Sequence, residues 1–71
     1  MHRTPVSSSN LASVGYDSSQ HILEIEFLTG SVYQYFNVPQ DIYEGLMAAD
    51  NHGRYFDANV KKAGYSYKRI Q

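Results

Sequence analysis

Lysine and arginine side chains interleaved with phenol rings crowd the end of the chain. Arg54, Lys61, Lys62, Tyr65, Tyr67, Lys68 and Arg69 all fall within residues 52–69. This mixture suits a single nucleic-acid strand: phosphates want charge and unstacked bases want flat rings, at about 1–3 kcal/mol per stacked base. The charge is also segregated. Residues 1–50 carry one basic and six acidic side chains (−5), whereas residues 51–71 carry five basic and one acidic (+4), for −1 overall. A structural reading competes with the binding one. Lysines at a helix end or on an edge strand are routine, and Tyr65 and Tyr67 are ordinary strand residues. The chain also lacks the strongly basic balance of a dedicated nucleic-acid binder.

Other chemistry finds less support. His2, His21 and His52 are not spaced for a shared ligand, and a zinc site needs about four converging donors. Glu24 and Glu26 form a sequence pair, but acid–base catalysis needs shifted groups in a pocket. Their alternation with Leu23, Ile25 and Phe27 places them on the wet face of a strand. Ser7, Ser8, Ser9 and Asn10 have no general base beside them and read as turn chemistry. The five glycines are scattered rather than grouped into a phosphate loop. The sequence therefore implies no enzyme, no cofactor and no metal.

The elements that position these residues centre on Leu23–Tyr35, LEIEFLTGSVYQY. His21–Leu28 alternates as a half-buried antiparallel strand. Two registers compete at the following turn. A two-residue loop at Thr29-Gly30 would put Gln34 in the core and both tyrosines outside. A three-residue loop, Leu28-Thr29-Gly30, gives Gly30 the positive φ of a bulged hairpin and sets Ile25 opposite Tyr33 and Leu23 opposite Tyr35. An unpaired buried amide costs about 1–3 kcal/mol, so the bulged loop is selected. Tyr33 and Tyr35 then face the core with hydroxyls at its rim, and Val32 and Phe36 become exposed apolar groups on the outer face.

Leu11–Asp17 reads as a strand before this hairpin, with Val14 and Tyr16 on one face, and Met1–Pro5 as a fraying end. Pro39 suits the first position of a helix running to about Ala48, with Ile42/Leu46 and Tyr43/Met47 on its apolar face. Asn51 caps a second helix, His52–Lys62, whose buried stripe is Tyr55, Phe56, Val60 and Ala63; Gly64 ends it. Tyr65–Ile70 is a short strand at an edge, guarded by Lys68 and Arg69.

Seventy-one residues make one small domain, 1–71, with a stability of about 4–11 kcal/mol. The expected fold is α+β: a three-stranded antiparallel meander, two helices packed on one face, and a short C-terminal strand. No cysteine is present, which fits a reducing compartment. No segment reads as a signal peptide or membrane span, so the expected location is cytoplasmic, with no membrane partner.

In order along the chain stand Ser8-Ser9, Gly15-Tyr16-Asp17, Leu23/Ile25/Phe27, Gly30, Tyr33-Gln34-Tyr35, Val38-Pro39, Tyr43 and Gly53-Arg54-Tyr55-Phe56. Together they resemble the KTSC domain, found at the C-terminus of some lysyl-tRNA synthetases and as a stand-alone bacterial protein. The similarity runs from about Val6 to Ile70; Asn51 departs from it, where the family favours Ser, another N-cap. The resemblance implies RNA as a partner and no catalytic residues. With Tyr33 and Tyr35 assigned to the core, the expected RNA surface is the basic one: Arg54, Lys61, Lys62, Tyr65, Tyr67, Lys68 and Arg69. The alternative is a protein-interaction module using Val32 and Phe36 or an open edge strand.

Overall fold

The computed structural model describes all residues, 1–71. Five antiparallel strands lie in the sheet in the order of the chain: β1 (Arg3–Pro5), β2 (Leu11–Asp17), β3 (Ile22–Phe27), β4 (Val32–Tyr35) and β5 (Tyr67–Arg69). Between β4 and β5 come α1 (Gln40–Ala48) and α2 (His52–Phe56), the latter continued by a π-helical turn, Asp57–Lys61. The fold is thus α+β with two helices, but the sheet has five strands and not a meander of three. The overlooked strand is β1. It has three residues, one of them a proline, and carries no alternation. It joins because Arg3 reaches across β2 to the Glu24 carboxylate on β3, 2.6 Å away. Gly15 lies between them without a side chain; a Cβ there would meet the His2 carbonyl and the Arg3 stem.

The bulged register holds. Leu23 pairs with Tyr35 and Ile25 with Tyr33, and Gly30 has φ 93°. The loop closes through Phe27 N–H to Ser31 O and Gly30 N–H to Phe27 O, both 2.9 Å. Gln34 takes its place beside Glu24 on the outer face, donating to Oε1 at 2.9 Å. That face is less wet than the alternation suggests. Glu24 is 5% exposed and Val32 1%. The N-terminal residues lie over Gly15 at one side. Ile70 and Gln71 hydrogen-bond Val32 at the other. Val32 is therefore no exposed apolar group, and Phe36 is half-buried.

The inner face carries the core: Leu11, Val14, Leu23, Ile25 and Tyr35 from the sheet against Val38, Leu46, Phe56 and Val60. Pro39 sits one position earlier than expected, as the cap residue before Gln40. Asn51 caps α2, its side chain accepting from Arg54 N–H at 2.9 Å. Phe56 and Val60 are buried and Tyr55 is half-buried, but Ala63 is exposed. The wider π turn, closed by Lys62 N–H to Asp57 O at 3.0 Å, explains this. With i→i+5 bonding, a seven-residue step no longer returns to the same face.

Candidate functional site

The two helices are short and cover only part of the inner face. Over Val14, Leu23 and Ile25 the cover is complete, and all three are 0% exposed. Toward β5 it stops. Tyr67 stands 63% exposed on the inner face, and Tyr33 is half-buried beside it.

The aromatic rings at this end form one contiguous group. Tyr67 lies 6.0 Å from Tyr33 and 5.5 Å from Tyr35, centroid to centroid. Phe27 meets Tyr33 edge-on at 5.7 Å and Phe56 at 5.6 Å. Offset and edge-on contacts at these separations stabilise beyond their area burial. No buried polar side-chain atom lacks a partner, so the phenols of Tyr33, Tyr35 and Tyr67, which find no acceptor in the chain, open to solvent. Burial first, then Tyr33 and Tyr67, pushes the Tyr35 phenol up to about 12.

Above these rings is a cleft of about 540 Å³, with Lys61 and Asp57 on its helical wall and Asn10, Thr29 and Ser31 at its loop side. The π turn sets the helical wall. It keeps Val60 inside while Lys61 lines the cleft. The Asp57 carboxylate has its own cation, Lys62 Nζ at 3.2 Å.

The structure therefore divides the residues singled out from the sequence. Lys61 and Tyr67 line the cleft. Arg69 is opposite Tyr33 in the β4–β5 register and shares the face of Tyr67 by strand alternation; its Nε donates to Gln71 O at 3.0 Å. Lys68 pairs with Gln34 and belongs to the outer face. Lys62 is engaged with Asp57. Arg54 is exposed in the first turn of α2, and Tyr65 is half-buried against the core. The cations do not form one patch. Sequence reasoning also missed contributors. Phe27 and Tyr33, read as core alone, form the floor of the cleft, and Asn10, read as turn chemistry, stands at its edge. The signal for Asn10 lies in Gly53, which is buried against the Asn10 side chain.

Elsewhere, no group of three or more His, Cys, Asp or Glu side chains is placed to hold a metal ion. No helix is long and apolar enough to cross a membrane.

Comparison with known proteins adds the following. The family model described as KTSC domain matches residues 7–67. An uncharacterized protein of Stutzerimonas stutzeri is 44% identical over 70 residues, covering 99% of each chain. The lysine–tRNA ligase of Trichormus variabilis is 44% identical over 55 residues, which cover 78% of this chain but 10% of the ligase. The crystal structure of a KTSC domain protein from Yersinia pestis superposes with a TM-score of 0.90 at 40% identity, covering 99% of this chain and 97% of that one.

Proposed function

We propose, from the premise that this chain belongs to the KTSC domain family, that it is a non-catalytic module binding single-stranded RNA at the open aromatic end of its sheet. The observation that carries the reading is Tyr67, a large ring left 63% exposed beside Tyr33 and facing a cleft with Lys61 on its wall. Aromatic faces beside cations are what unpaired bases and their phosphates need. Three lysine–tRNA ligases contain a segment similar to this chain over about a tenth of their length, which makes RNA the apt occupant of such a surface. Lys61, Tyr67 and Arg69 share one side with Tyr33, while Lys68 stands on the opposite face.

Titration of isotope-labelled protein with a short single-stranded RNA, at low and then moderate salt, tests this. Resonances of Tyr33, Lys61, Tyr67 and Arg69 move, and affinity falls as salt rises because phosphate contacts release counterions. Tyr67→Ala weakens binding by about 1–3 kcal/mol, the worth of one stacked base. No movement at either salt removes the proposal.

A further inference from the structure

The RNA reading leaves Ser8, Asn10 and Gly53 without a part. Gly53 is buried in the first turn of α2, and a Cβ there would run into the Asn10 carboxamide oxygen. Glycine is what lets that carboxamide lie against the helix. Ser8 then fixes its orientation. The Ser8 hydroxyl oxygen accepts from the backbone N–H groups of Asn10 and Leu11, both at 3.3 Å. Its hydrogen goes to Asn10 Oδ1 at 3.0 Å. A hydroxyl has one donor and two lone pairs. With both lone pairs used, the partner at Asn10 must be the oxygen. The Nδ2 hydrogens of Asn10 are what remain to be offered, at the edge of a cleft that also holds Phe27, Lys61 and Tyr67.

Building on the RNA reading, we propose that the cleft receives one unpaired base of the strand, and that the Asn10 side-chain amide donates to an acceptor on that base's edge. A volume of about 540 Å³ falls in the range of small-ligand pockets. The neighbouring inner face is closed to further bases, since Leu23, Ile25 and Val14 are fully covered. Tyr67 supplies the stacking face and Lys61 the cation for the adjoining phosphate. Asp57, the one carboxylate on the wall, is offset by Lys62.

The test compares three probes: hexauridine, a backbone of the same length with one uridine among abasic positions, and the fully abasic backbone. The single-uridine probe binds within a few-fold of hexauridine and about tenfold more tightly than the abasic one, as one stacked base requires. The Asn10 side-chain amide resonances move with the first two probes and stay put with the third. Asn10→Asp keeps an acceptor for Ser8 and removes the donor, and it narrows the preference for the single uridine over the abasic backbone. If hexauridine binds but the single-uridine probe does no better than the abasic one, several bases are needed. The one-base pocket is then wrong while RNA binding stands. If none of the three binds, both ideas fall together.

Discussion

The two ends of the inner sheet face each carry paired tyrosines, and the pairs differ in every respect that matters. At the closed end Tyr16 of β2 stacks on Tyr43 of α1 at 4.9 Å and 9°, and its hydroxyl donates to the Val38 carbonyl. Burial first, then Asp41 and Asp17, raises the Tyr16 phenol above its ordinary value. At the open end Tyr33 and Tyr67 sit 6.0 Å apart and tilted by 44°, and Tyr67 stands largely exposed. The same residue type is thus a structural joint at one end and a free surface at the other. What separates them is a ring supplied by a helix: Tyr43 of α1 lies flat on Tyr16, and no helical ring lies flat on Tyr67. α1 brings Tyr43 onto β2, while α2 and its π turn meet the open end only along one wall, through Phe56, Asp57 and Lys61.

Breaking the closed end has the largest effect. Leu46 is the fully buried residue of α1. Leu46→Ala costs about 2–5 kcal/mol, a transfer term plus a cavity term, against a total of about 4–11 kcal/mol. Denaturant unfolding shows a large loss of midpoint or no cooperative transition. A shift of a few tenths would mean that α1 is not the lid described.

Tyr35 is the buried member of the open-end ring group and yields a pH dependence of intermediate size. Its phenol is held at about 12 against an ordinary 10.0, chiefly by burial. A folded value above the unfolded one stabilises the protein fully below pH 10. As pH rises from 10 toward 12 the unfolded chain loses its proton first, so stability falls across that window. Unfolding midpoints at successive pH values follow this decline, and Tyr35→Phe removes that part of it. A decline unchanged in Tyr35→Phe would assign it to other groups.

Tyr67→Ala is the smallest perturbation of the fold. The ring is largely exposed but packs on Tyr33 and Tyr35, so the loss is about 1 kcal/mol, well below that of Leu46→Ala, and the proposed RNA affinity falls with it. If instead the protein unfolds, the ring is a structural part and the contrast between the ends disappears.

The sequence carried the hairpin because two independent costs agreed there: Gly30 needed positive φ, and Gln34 needed water or a partner. Asn51 and Gly64 marked the ends of the second helix for similarly local reasons; the Asn51 cap holds, whereas Gly64, with φ 87°, lies two residues past the C-cap Lys62 and not directly after it. What stayed hidden was non-local. β1 depends on Arg3 meeting Glu24 across a residue that lacks a side chain. Glu24 and Val32 alternate outward correctly, yet are covered by the chain's two ends. Ala63 follows the α-helical period, which the π turn interrupts. The cleft itself is the area the helices fail to reach, and no periodicity along one segment records the reach of another. Asn10 joins it through Gly53, a contact between distant parts of the chain.

Strand order has a kinetic side. Successive strands from β1 to β4 meet through brief connections, so those pairings can zip together early, with small loop-closure cost. Tyr35 and Tyr67 meet only across both helices. The last strand is thus the late arrival in folding and the first segment to detach, a difference that amide exchange along β5 and β2 would register. Whatever occupies the face it helps to build also fastens it, because a ligand favours the state that binds it.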